Sequence, residues 1–299
     1  MADSSHKLFS IFGKKVGLII SKLAPRWTRS QIDALIFKPT LDKPKSIRIP
    51  RGFKEVTLKL KDGNVNSYQI GNGPIVVFVH GMGGAGQQFF PLMRGLSQCG
   101  FKTITFDHLG HGKSDKGPNS LDQMIATTNQ ALSEICKKYK ESPSCIVAHS
   151  TGCIAVANAR HSLLKNIPLL LVSPIFNYKL FFLKKLVKLD LHSDILKGFA
   201  TRFSNVYNRE YAALDLAKNL EKYSDISVIV HDREDSDSPV SDSIKFTTRY
   251  PMTKILLTTG LDHHRVLLSE SVWHELKSVV HYEDTTINFT QKILDQQTP

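Results

Sequence analysis

Three groups of residues in this chain could together carry out nucleophilic acyl transfer: one serine, two adjacent histidines and a short run of carboxylates. Ser150 stands in Ala148-His149-Ser150-Thr151-Gly152, after the apolar stretch Cys145-Ile146-Val147 and before the small residues Ala155 to Ala159. A tight strand-to-helix corner strains its central residue and leaves almost no room for side chains two positions before and after it. Ala148 and Gly152 meet that demand. A serine hydroxyl is a poor nucleophile at neutral pH, so it needs a base, and the base needs an acid to fix its tautomer. His263 and His264 are the candidate bases, in Thr258-Thr259-Gly260-Leu261-Asp262-His263-His264-Arg265-Val266-Leu267. Asp235, Asp232 and Asp237 are the candidate acids, in His231-Asp232-Arg233-Glu234-Asp235-Ser236-Asp237-Ser238-Pro239-Val240. No Asp or Glu occurs between Ser150 and Asp190, which removes the other place for the acid, just after the next strand.

Acyl transfer also needs donors for an oxyanion, and glycine-rich backbone can supply them. Gly81-Met82-Gly83-Gly84-Ala85-Gly86 follows the apolar run Ile75 to Val79 and precedes a helical pattern. The same letters spell the dinucleotide fingerprint G-x-G-x-x-G, with Asp107 in place of the ribose-binding acid. Three features argue against a nicotinamide or flavin oxidoreductase. The strand ends in His80, the loop after Asp107 is itself glycine-rich, and a hairpin precedes the supposed first nucleotide strand.

The elements that must position these residues follow from hydrophobic periodicity. Glu55 to Leu60 and Ser67 to Ile70 alternate around Asp62-Gly63 as an antiparallel hairpin. Ile75 to Val79 is the continuous apolar run of a strand covered on both faces, and Thr103 to Phe106, Cys145 to Ala148, Leu169 to Val172, Ile226 to Val230 and Ile255 to Leu257 continue the strand rhythm. Helical patterns lie between them, at Gln87 to Gln98, Leu121 to Tyr139 and Ser269 to Tyr282. The alternation predicts an α/β fold, a mostly parallel twisted sheet with helices on both faces. Strand patterns stop between Pro174 and Asp225, where Phe- and Leu-rich helices among lysines predict a small helical cap, residues 174–225, inserted between strands 6 and 7. Ligands bind at that carboxyl edge in open α/β sheets. Residues 1–48 form an N-terminal helical extension, with helical pieces at Lys7 to Leu23 and Arg29 to Ile36, and residues 49–299 the main domain. The extension's apolar face, flanked by Lys14, Lys15 and Lys22, could dock on the body or make peripheral membrane contact.

The 299 residues carry a net charge of +12, but the lysines are scattered and no basic-aromatic block resembles an RNA-reading surface, so nucleic acid is not expected as a partner. Apolar runs are strand-length, well short of the roughly 20 residues a spanning helix needs. Asp3 and the lack of an A-x-A-like site after Leu18-Ile19-Ile20 argue against a secretory signal. Cys99, Cys136, Cys145 and Cys153 have no metal-type spacing and read as reduced thiols of a cytoplasmic protein.

The ordered set of motifs resembles the α/β-hydrolase superfamily over about residues 55 to 283. His80 to Gly84 is similar to its H-G-x-G-G loop, Asp107 to Ser114 to its D-x-x-G-H-G-x-S loop, and Ala148 to Gly152 to its nucleophile elbow, with alanine for the first glycine. The last two loops are similar to those of poorly characterised bacterial esterase- or lipase-like hydrolases. The resemblance implies Ser150 as nucleophile, Asp235 as acid, His263 as base, and the amides of Met82 and Thr151 as the oxyanion hole. It departs from the family at Asp232, which replaces the glycine of H-G-x-x-D, and at Asp262, where a glycine usually precedes the base. It implies a serine hydrolase, with a small-molecule carboxylic ester bearing an apolar moiety as substrate and no cofactor or metal. A non-catalytic ligand- or partner-binding protein on the same fold is the alternative.

Overall fold

The computed structural model describes residues 19, 22–37, 48–118, 120–159, 162, 166–187, 191–198, 201 and 215–280. Eight strands form one sheet in the order β1-β2-β4-β3-β5-β6-β7-β8. The strands are β1 (Lys54–Leu60), β2 (Gly63–Ile70), β3 (Ile75–Val79), β4 (Lys102–Phe106), β5 (Cys145–His149), β6 (Leu169–Val172), β7 (Ser227–Asp232) and β8 (Lys254–Thr258). The β1–β2 hairpin joins β4 antiparallel, through Ser67 opposite Phe106, and every later pairing is parallel. All eight predicted strands are present. β2 and β7 extend beyond the apolar runs, because hairpin and loop residues complete their ladders.

Side-chain alternation along the parallel strands builds two cores, one on each face of the sheet. Val77, Val79, Ile146, Ala148, Leu169 and Leu171 pack with Leu121, Ala131, Leu132 and Ile135 of α3 (Leu121–Tyr139) and with Ile154 and Val156 of α4 (Thr151–Ala157). Val76, Phe78, Val147, Leu170 and Val172 face the other way, toward Phe90, Met93 and Leu96 of α2 (Phe90–Gln98) and Val272 and Leu276 of α9 (Glu270–Val279). That double covering explains why these strands read as unbroken apolar runs rather than as alternating ones.

Between β6 and β7 the described residues include helices α5 (Tyr178–Val187) and α6 (Leu216–Leu220), the first with Tyr178, Phe181 and Leu186 buried. In the N-terminal extension, Thr28 and Ile32 of α1 (Pro25–Phe37) are buried against the body, so this part of it docks. Ile19, Leu23 and Trp27 are exposed. The helix expected from Lys7 lies largely outside the described residues. No helix among the described residues is long and apolar enough to cross a membrane. The four cysteines are free, Cys145 and Cys153 being buried.

The corner after β5 is set by close backbone approach. A β-carbon on Gly152 would lie 2.6 Å from the Val79 carbonyl oxygen and 2.7 Å from that of His80. Gly152→Ala must therefore push α4 away from β3. Overpacking of this kind costs about 1–3 kcal/mol, which a urea denaturation curve reads as a lower midpoint; an unchanged midpoint would contradict this packing.

Candidate active site

Ser150 sits between β5 and α4 with φ 58° and ψ −127°, a conformation that non-glycine residues rarely adopt. Its amide donates to the Val172 carbonyl across the sheet (3.0 Å), which pins the strained residue at the end of the parallel ladder. A β-carbon on Gly81 would lie 2.8 Å from Ser150 Cβ, so the glycine loop can press against the corner only without a side chain there.

Two loops from β7 and β8 meet this serine. Ser150 Oγ lies 2.9 Å from Nε2 of His263, and the Nδ1–H of the same ring donates to Asp235 Oδ2 at 2.7 Å. The three side chains form a hydrogen-bonded row with His263 and Asp235 buried. Asp235 Oδ2 also accepts from the Nε2–H of His231 (3.1 Å), and Oδ1 from the amides of Asp237 (2.9 Å) and Ser238 (2.8 Å). Burial alone would raise the Asp235 pKa, but the bonds from His231 and His263 outweigh it and hold the carboxyl well below the usual range. His231 is itself oriented by the Ser243 hydroxyl, 2.7 Å from Nδ1.

The competing candidates lie elsewhere. Asp232 is buried and joins the two loops, accepting from the Thr258 hydroxyl (2.7 Å), the Leu261 amide (3.1 Å) and the Glu234 amide (2.9 Å). These bonds overcome its burial and lower its pKa. Asp237 contributes its amide to Asp235. His264 is exposed, with its ring edge-on to that of His263 at 5.1 Å between centroids. Asp262, where the family usually has glycine, adopts φ 59°, and its carboxylate turns to the amides of His264 and Arg265 and to Arg265 Nε (2.9 Å). Those amides bring its pKa down to about 2 and leave its charge paired locally rather than with the His263 ring.

The glycine loop faces the same corner. The Met82 amide donates to Thr151 Oγ1 (2.6 Å), the Gly83 amide to His111 Nε2 (3.2 Å), the Gly84 amide to the Gly81 carbonyl (3.0 Å) and the Gly86 amide to Asp107 Oδ1 (2.7 Å). Asp107 is fully buried and also accepts from the Lys113 amide. Four amides of the loop thus bond inside the protein, and Asp107, buried among its own donors, has no face to offer a ribose. The dinucleotide reading fails on that geometry. Over the loop lies α5, with the Tyr178 hydroxyl 3.8 Å from Met82 Sδ.

Four buried histidines brace these loops as neutral imidazoles. His80 donates from Nδ1 to the Gly81 carbonyl and accepts the His108 amide on Nε2, while His108 donates from Nε2 to the His80 carbonyl. His111 donates to the Leu109 carbonyl and accepts from Gly83. His149 donates from Nε2 to the His263 carbonyl (2.9 Å) and accepts from Gln88 on Nδ1, tying the His263 backbone to the short helix after the glycine loop. Sequence reasoning missed the bonds of His231, Asp232 and His149 to the row and its loops. Only the four-residue spacing of His231 and Asp235 hinted at one of them.

Sheet order, a strained serine corner and loops converging at the carboxyl ends of parallel strands define the α/β-hydrolase class. The chain belongs to the family described as "Serine aminopeptidase, S33", a hydrolase family whose model matches residues 72–258. It is 25% identical over 122 residues to the "Uncharacterized hydrolase YraK" of Bacillus subtilis (strain 168), an alignment that covers 38% of this chain and 45% of that protein, so the chain spans less than half the length of this curated relative. Its fold is similar to the Pyrococcus furiosus esterase Pf2001 (TM-score 0.62, 18% identity, 81% of this chain and 97% of that one). It is also similar to an esterase from Exiguobacterium antarcticum (TM-score 0.56, 19% identity, 76% of this chain and 100% of that one).

Burial drives the imidazole pKa values down from 6.5, to about 4 for His80 and about 3 for His111 and His149, and well below 6.5 for His108. The folded state therefore binds fewer protons than the unfolded chain below pH 6.5. Their contribution is complete above that pH and falls as pH drops toward 4. Asp107, raised by burial, opposes this, but it is one carboxyl against four imidazoles. Urea midpoints should fall steeply between pH 7 and 5; a flat profile would show that these rings are not held neutral.

Proposed function

We propose that this chain is a serine hydrolase that acts through an acyl-enzyme, with Ser150 as nucleophile, His263 as base and Asp235 as acid. The observation that carries the reading is the unbroken row Ser150 Oγ to His263 Nε2 to Asp235 Oδ2, at 2.9 and 2.7 Å, built on a serine held at φ 58°. In the first step Ser150 Oγ attacks a carbonyl carbon while His263 Nε2 takes its proton. Asp235 keeps Nδ1 protonated, so Nε2 presents its lone pair, and it stabilises the imidazolium that forms. Thr151 and Met82, whose amide donates to the Thr151 hydroxyl, line the proposed oxyanion hole for the tetrahedral intermediate. His263 then protonates the leaving alcohol, and water repeats the sequence to release the acid. The chemistry calls for no metal or organic cofactor.

Carboxylic esters with an apolar part are the proposed substrates. The support is the segment 174–225, proposed as a cap, whose helix α5 brings Tyr178 to Met82 at the site and carries the apolar side chains Phe181 and Leu186. The family's description names peptide chemistry and the two structural neighbours are called esterases, so the test must include both bond types. Asp232 and Asp235 are engaged by internal donors, so neither is free to take a substrate's α-ammonium.

p-Nitrophenyl esters of graded chain length and aminoacyl p-nitroanilides, assayed side by side, should show ester turnover that increases from acetate to medium-length chains. Ser150→Ala, His263→Ala and Asp235→Ala should each lower kcat by about 10³-fold or more, while Asp237→Ala stays within a few-fold of wild type. Near-full activity in Asp235→Ala or His263→Ala would overturn the assignment of that residue. Turnover of anilides alone would replace esters by amides, and no turnover of either by correctly folded protein would favour a binding role.

A further inference from the structure

The second oxyanion donor of this site has a feature that a two-amide hole lacks. The Met82 amide is not free: its N–H is directed at Thr151 Oγ1 over 2.6 Å. Thr151 is fully buried, and among the described residues its hydroxyl accepts this bond but finds no acceptor for its own proton. Other buried threonine hydroxyls in the sheet use theirs, Thr105 on the Phe78 carbonyl and Thr103 on that of Ile70. A buried donor without a partner is costly unless something supplies an acceptor. The pair also lies where an oxyanion would form. Thr151 follows Ser150 in the chain, and Met82 follows Gly81, on which a β-carbon would be 3.2 Å from Ser150 Oγ.

We infer that the Thr151 hydroxyl is itself an oxyanion donor, and that the Met82 amide acts through it rather than on the substrate directly. This rests on the serine-hydrolase reading above. An amide that donates to a hydroxyl oxygen polarises its O–H and strengthens the bond that proton makes, so amide, hydroxyl and oxyanion form a short cooperative chain. The Thr151 N–H is the other donor. As negative charge grows on the carbonyl oxygen, both groups of one residue close on it. Met82, fixed from above by the Tyr178 hydroxyl on its sulfur, holds the hydroxyl in place.

The arrangement separates three substitutions. Thr151→Ser keeps the hydroxyl and should retain kcat to within about five-fold. Thr151→Val puts a methyl where the oxygen was, removing the donor while still screening the Met82 amide, and should lower kcat by about 10²-fold, the scale of losing one oxyanion donor. Thr151→Ala removes donor and screen together, so the freed amide partly compensates and kcat falls by about ten-fold. The assay is p-nitrophenyl ester hydrolysis with kcat and KM resolved, KM changing little. Inhibition by a trifluoromethyl ketone, whose hemiketal with Ser150 carries the oxyanion, should weaken in the same order. A mere folding defect would lower the active fraction and leave the inhibition constant unmoved. Thr151→Ala or Thr151→Val at or above wild-type kcat would overturn the inference and make the hydroxyl a plug. If wild type hydrolyses no ester faster than Ser150→Ala, the hydrolase reading itself fails and takes this inference with it.

Discussion

The arrangement of the site depends on one carboxylate that is buried and charged. Asp235 sits out of water, where an unpaired negative charge would cost several kcal/mol, and it is stable there because four donors converge on its two oxygens. Two of those donors are histidine rings. His231 approaches from the end of β7 and His263 from the segment after β8, so the carboxylate can be satisfied only when the β7 and β8 loops are closed on each other. Once His263 Nδ1–H is committed to that carboxylate, the ring's remaining nitrogen has one direction to point, toward the serine corner. The row is thus a consequence of satisfying Asp235.

The neighbouring interactions serve the same end by holding loops rather than by facing the reacting atoms. Asp232 locks the first residues after β7 to those after β8, and His149 reaches from beside Ser150 to the His263 carbonyl. On the opposite side His80, His108, His111 and Asp107 fix the glycine loop and the loop after β4 against each other. Each imidazole bonds to backbone around it, His149 also to Gln88, and burial rather than these bonds keeps it neutral. The cost of this design is acid sensitivity, since protonation would break the bond that His80, His111 and His149 each accept. Among the described residues His108 Nδ1 is a buried nitrogen with no hydrogen-bond partner.

Much of this was legible in the sequence, for reasons that differ between its parts. The central strands β3, β5 and β6 showed because a strand covered on both faces is apolar throughout, and the hairpin showed because its strands alternate. The serine corner was legible because strain there excludes side chains, which leaves small residues at fixed spacing. The choice of Asp235 among three acids and of His263 over His264 came from similarity to a family; nothing in residue type separates them. The reasons for that choice are three-dimensional: Asp232 is drawn to the Thr258 hydroxyl and the Leu261 amide, and α8 (Asp262–Arg265) turns His263 inward and His264 out. The Met82 to Thr151 bond was invisible because it joins atoms 69 residues apart through one rotamer.

The central claim is that Ser150 is activated by this row. Its most direct measurement is the intact mass of folded protein after exposure to a fluorophosphonate, followed by peptide mapping. The account predicts a single adduct on the peptide containing Ser150 and none when His263 is replaced by alanine. An unmodified protein, or an adduct carried by any other residue, would contradict it.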